Sequence, residues 1–189
     1  MSSTALLIAI IVLVVIVVAV AAFAIRANQR RQLRDRFGPE YDRAVAESGN
    51  QATAERALQD RVKRREELEI RELDPAARSR HAESWRVIQA RFVDDPRGAV
   101  REAQVLVTTV MGERGYPTEG FESQAEYVSV DHAGVVDNYR SAHKISTADA
   151  EGRASTDDLR QAMVHYRALF NELLGQAAPK AGPRQEEVS

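Results

Sequence analysis

The chain has 189 residues, no cysteine, 26 Lys and Arg against 28 Asp and Glu, and a formal net charge of −2. The missing cysteines exclude disulfides, thiolate catalysis, Cys-based zinc sites and palmitoylation, and the length leaves room for one domain of ordinary size beyond a targeting segment. Five arginines and a single acid fall between residues 26 and 36, so that stretch carries +4 and the rest −6, a poor match to a nucleic-acid platform, which needs a basic face.

After a short N-terminal extension, residues 1–4, every position from Ala5 to Ile25 is apolar, fifteen of them Leu, Ile, Val or Phe and six Ala. At 1.5 Å per residue a helix of this length covers about 31 Å, close to the roughly 30 Å hydrocarbon core of a bilayer, which predicts a single transmembrane helix over 5–25. No ionisable residue interrupts it, so the span is expected to be an anchor without a proton relay or substrate route. Ala5 and Ala9 form one small-xxx-small pair, a pattern that an Ala-rich helix also produces by chance.

Arg26, Arg30, Arg31, Arg34 and Arg36 follow the span against the lone acid Asp35, while Met1–Thr4 offers only the amino terminus. Arginines flanking a span are retained on the cytoplasmic side, so the N-terminus is expected outside and the C-terminal domain in the cytoplasm of a bacterial inner membrane. The same five residues lie where anionic lipid headgroups sit. The competing expectation is a secreted or periplasmic protein, with the small-residue run from Ala19 to Ala24 as a cleavage site. An apolar stretch longer than an ordinary signal sequence, with no basic residue before it, weighs against that alternative.

Residues 37–73 read as a hinge and charged helices. Gly38-Pro39 ends the helix that leaves the membrane and opens a short one over 40–47, and Ser48-Gly49-Asn50 breaks the chain again. From Gln51 to Leu73 the pattern is helical and densely charged, with Asp60/Arg64 and Glu67/Arg71 at the favourable spacing of four. Its apolar stripe, Ala54, Leu58, Val62, Ile70 and Leu73, has a gap in the middle, so an exposed stalk or brace is expected, and a coiled coil would fail near Arg65 and Glu66.

Residues 74–175 read as a helical bundle domain. Asp74-Pro75 and Asp95-Pro96 each place an N-cap acid before a proline at the first helical position. The first helix so opened carries His81, Trp85, Ile88 and Phe92, and the second Ala99, Ala103, Leu106 and Val110, before Gly115 and Pro117 end it. Thr118 is expected to cap a short helix through Phe121, Ala125 and Val128, Asp131 another through Val135, Tyr139 and Ala142, and Ser155 or Thr156 the last through Leu159, Met163, Tyr166, Phe170 and Leu173. Alternating steps of three and four joined by short breaks predict antiparallel neighbours, so the fold class is all-α: one transmembrane helix, a charged linker helix and a small antiparallel bundle. Residues 176–189, with two Pro and mostly polar company, are expected to be a disordered tail.

Three stretches, Phe37-Gly38-Pro39-Glu40-Tyr41-Asp42-Arg43, Gln89 to Pro96 and Asp158 to Phe170, together resemble an uncharacterised family of bacterial membrane-anchored or secreted helical proteins. The resemblance covers roughly Phe37 to Leu174 and implies a bacterial envelope protein of unknown function, with no catalytic or ligand assignment to carry over.

No histidine has another at the ligand spacing of three or four, so no metal site and no cofactor is expected. Asp94-Asp95 and Asp157-Asp158 sit where helices begin and are expected to cap them rather than form catalytic pairs. Trp85, Tyr139, His165, Tyr166 and Phe170 are the candidates for a pocket between bundle helices, although aromatic stripes at this spacing usually form plain core. The sequence therefore points to a non-catalytic interaction or scaffolding module tethered to the lipid bilayer, with an unidentified protein partner. The competing class is a membrane-associated enzyme or small-molecule binder using that pocket.

Overall fold

The computed structural model describes residues 3–175; the tail expected to be disordered lies outside the described residues. Within that range the chain forms eight α-helices and no strand: α1 (Ser3–Phe37), α2 (Pro39–Ser48), α3 (Gln51–Glu66), α4 (Pro75–Arg91), α5 (Pro96–Arg114), α6 (Phe121–Asp131), α7 (Ala133–Ala150) and α8 (Thr156–Leu173). The chain divides into two compact units, 1–59 and 60–189.

In the first unit, α1 continues unbroken from the apolar stretch through the arginine cluster, and every side chain from Ile10 to Ile25 is exposed. This helix is long and apolar enough to cross a membrane. Leaving such a surface in water would forfeit about 25 cal/mol per Å² of apolar area, so a helix of this composition needs an apolar surrounding. Gly38 then turns the chain with φ +50°, which a side chain rarely tolerates, and Pro39 opens α2. Leu33, Phe37, Tyr41, Ala44, Ala54 and Leu58 are the buried apolar side chains of the unit. The Glu55 carboxylate ties its three helices together by accepting from Arg30 Nε at 3.0 Å, Tyr41 Oη at 2.7 Å and Gln51 Nε2 at 3.1 Å.

The expectation of an exposed stalk from Gln51 to Leu73 is corrected on two counts. Ala54 and Leu58 are buried, and the helix stops at Glu66 rather than Leu73. Glu67 and Leu68 turn the chain out of the helix, and beyond them the Arg71 N–H donates to the Arg114 carbonyl at 2.9 Å, so 69–74 run as an irregular link along the end of α5. The anticipated spacing-of-four pairs are absent with it: Asp60 meets Lys63 at 3.5 Å, and Arg64 reaches Glu126 at 3.2 Å. Leu73 is buried and Ile70 packs against the bundle core.

The second unit holds α4 to α8 around one core. Asp74 accepts from the Ala77 N–H at 2.8 Å and Asp95 from the Gly98 N–H at 2.9 Å, so both acid-proline signals start helices as the sequence predicts. Contacts between His81 and Glu113 and between Arg91 and Glu102 set α4 antiparallel to α5, and those of Phe121 with His143 and Gln124 with Tyr139 do the same for α6 and α7. The C-terminal ends of α5 and α8 meet, where Arg114 Nη1 donates to the Leu173 carbonyl at 3.1 Å. The α8 stripe Leu159, Ala162, Met163, Tyr166, Leu169, Phe170 and Leu173 is buried along its length.

Two anticipated caps are corrected. Gly120, with φ +70° and no side-chain bond, precedes α6 in place of Thr118, and His132 precedes α7 in place of Asp131. Asp131 instead closes α6 and spends its carboxylate on distant partners. Ser155 does cap α8, in a reciprocal box with Asp158.

Candidate functional site

The five arginines after the apolar stretch do not behave as one group. Arg30 pairs with Glu55 at 3.0 Å, and Arg34 lies 3.8 Å from Asp42 and 5.0 Å over the Tyr41 ring. These two are therefore partly spent in joining α1 to α2 and α3, whereas Arg26 and Arg31 are exposed. Arg36 is exposed too and has its own interactions. The Tyr41 hydroxyl is pushed above its ordinary pKa by burial and by the Glu55 carboxylate it donates to.

Of the side chains named as pocket candidates, four are core. Tyr139, Tyr166, Phe170 and Trp85 are all buried, with Trp85 stacked on Phe170 at 4.8 Å between ring centroids. Burial pushes the Tyr166 hydroxyl up to about 12 and raises that of Tyr139 further. Tyr139 donates to Gln124 and Tyr166 exchanges a 3.0 Å bond with Ser146, so both phenols remain protonated members of the packing. His165 is half-buried, with Nδ1 2.8 Å from Asn138 Oδ1. It is not gathered with any other histidine: His81 meets Glu113, His143 stacks on Phe121 at 3.6 Å, and His132 meets Glu172. Among the described residues no group of three His, Asp or Glu is placed to hold a metal ion.

The densest polar cluster was not legible as a site in the sequence. It lies beside a cleft of about 410 Å³ lined in part by Arg78, Arg114, His132 and Glu172. Asp131 accepts from Arg65 Nε at 2.6 Å and from Tyr116 Oη at 2.7 Å. Arg114 Nη1 lies 3.4 Å from His132 Nε2; a guanidinium only donates, so Nε2 accepts and Nδ1–H is left to donate to Glu172 at 3.3 Å. Burial lowers the His132 pKa, opposed by Glu172 and assisted by Arg114. Burial and the neighbouring Asp131 raise the Tyr116 pKa well above the ordinary phenol range.

Chemically this cluster is a latch. Tyr116 Oη, which donates to Asp131, also lies 3.3 Å from His132 Nε2, so the phenol, the imidazole and Glu172 form one hydrogen-bonded chain. What the cluster does is tie the end of α5, the α6–α7 junction and the end of α8 to one another. Only Asp131 and His132 carried a signal, as adjacent titratable residues at a helix boundary; their partners lie 15 to 66 positions away and could not be inferred from local spacing.

Two further clefts lie on the bundle. One, of about 620 Å³, runs along α5 past Gln104, Val105, Thr108 and Gly112. The other, of about 230 Å³, lies between α4 and α8 beside Trp85 and Met163. Comparisons with protein-family models, curated proteins and solved structures give no match to this chain.

Proposed function

We infer that the chain is a single-pass protein of a bacterial cell membrane, with its N-terminus outside and its helical bundle in the cytoplasm as a tethered interaction or scaffolding module. The observation that supports this most is the continuity of α1, whose wholly exposed apolar face from Ile10 to Ile25 runs without a break into the arginine cluster. A helix continuous across the span and its basic flank places the arginines directly at one end of the apolar stretch. Arginines at that end are retained in the cytoplasm during insertion and gain about 1 kcal/mol each near anionic headgroups. The filled aromatic core and the internally paired polar cluster favour binding through the bundle's surface over chemistry within it.

Reporter fusions at the C-terminus test the orientation: a reporter that works only in the cytoplasm should be active there, and activity of an export-dependent one would overturn it. A second reading, a small-molecule binder or enzyme, draws on the 410 Å³ cleft beside His132. Its size lies within the range of about 300–1,000 Å³ usual for ligand sites. Metal content and ligand-induced melting shifts of the intact protein discriminate the two, since a stoichiometric metal or a shift of several degrees would favour the binder.

A further inference from the structure

The cleft of about 230 Å³ beside Trp85 has the chemistry of a docking groove. It opens between the outward faces of α4 and α8. Trp85 and Phe92 line it at helical spacing from one side, and Arg160, Met163, Val164 and Arg167 from the other. The positions on α8 alternate cation, apolar, cation at steps of four and three, so one stripe presents Arg160, Val164 and Arg167 together. Val164 is 57% exposed and Val93, just past Phe92, is 83% exposed.

No acid lines this groove, although the chain beyond its juxtamembrane cluster is net negative. Arg160 is shared with Asp157 one turn earlier, whereas Arg167 has no ion-pair partner among the described residues. Size narrows the occupant. At about 230 Å³ the groove falls below the roughly 300–1,000 Å³ of small-molecule sites, and it suits one large apolar side chain of a bound segment.

We propose that the α4–α8 groove binds an acidic amphipathic helix of a partner protein, which seats an apolar side chain against Trp85 and Met163 and sets carboxylates beside Arg160 and Arg167. This rests on the interaction-module reading and gives it a surface and a partner chemistry. Trp85 on α4 and Phe92 at its end, two turns apart about Gln89, facing Met163 and Val164 on α8, form an apolar floor of the kind used in helix-in-groove recognition. The two arginines fix the sign of the partner's charge rather than supply most of the affinity.

Trp85 is the only tryptophan in the chain, so its emission reports the groove directly. The test uses the full chain in nanodiscs of zwitterionic lipid. The probe is a Trp-free and Tyr-free amphipathic peptide of Leu, Ala and Glu, about 18 residues long so that it can be helical. The comparison peptide carries Lys at each Glu position. The expected result is a saturable change in Trp85 emission with the Glu peptide and binding about tenfold weaker with the Lys peptide. The R160E/R167E variant, altered only at exposed positions, should lose or reverse that preference while melting like the parent. V164D should weaken the Glu peptide without restoring the Lys one.

An emission that neither peptide moves, or equal binding of the two, overturns the proposal. So does the same change produced by octanoate, which would make the groove a small-acid site, or by raising protein concentration, which would give it to a second copy. None of these results bears on the membrane anchor, whose failure would show instead as loss of the chain from the bilayer.

Discussion

Removing the Asp131 carboxylate is the perturbation whose consequence the structure defines most closely. Asp131 accepts a 2.6 Å bond from Arg65 Nε and a 2.7 Å bond from the hydroxyl of Tyr116, a residue only 3% exposed. D131A thus leaves a buried phenol with only His132 Nε2 as acceptor, 3.3 Å away and already facing Arg114, and a partly buried guanidinium without its charge partner, for a total of about 2–4 kcal/mol. Y116F removes donor and demand together and should cost about 1 kcal/mol. In the Y116F background D131A should then cost less than alone, by about 1 kcal/mol, because no hydroxyl is left to lose its better acceptor. Urea titration of the four chains, followed by Trp85 emission, gives the cycle. A D131A loss below about 0.5 kcal/mol, or strict additivity of the two changes, would refute the latch.

Other outcomes follow from single contacts. Gly115 has φ +97°, and a Cβ there would lie 2.5 Å from the Glu69 carbonyl oxygen, so G115A should cost about 2 kcal/mol or more in the same titration and loosen the 69–74 link. S155A removes one half of the capping box of α8 and should cost about 1 kcal/mol, read as a lower melting temperature. His132 has its pKa depressed by burial, so the unfolded chain takes up the proton first. Its contribution to stability is present above the ordinary histidine value of about 6.5 and is lost as pH falls below it toward the depressed folded value, so H132Q should flatten the fall in stability between about pH 7 and 5.

What local sequence reveals here is what local physics decides. Asp74-Pro75, Asp95-Pro96 and Ser155 start helices because an acceptor side chain meets free amides within three residues, and nothing distant competes. The stripe from Leu159 to Leu173 is core because its period matches the helix, whatever it packs against. The misreadings arise where a distant group outbids the local one. Residues 67–73 have helical composition, but the Arg71 N–H bonds to the distant Arg114 carbonyl in place of a helical partner. Asp131 has the makings of a cap, yet Arg65 and Tyr116 claim its carboxylate. Ala54 and Leu58 appear exposed in a charged segment because two apolar residues a turn apart do not say that a covering surface exists. Trp85 with Phe170 and Tyr139 with Tyr166 meet as two ring pairs, and all four are buried in the core. The groove beside Trp85 has no local signature because it joins stretches of α4 and α8 that are 68 or more positions apart.

A tethered module requires that the first helix stay part of the mature protein and hold it in the bilayer. Intact-mass measurement of the chain recovered from carbonate-washed membranes tests this directly. The mass should be that of the polypeptide with residues 5–25 retained and should appear in the membrane fraction; a species beginning after about residue 24 and found in the soluble fraction would contradict it.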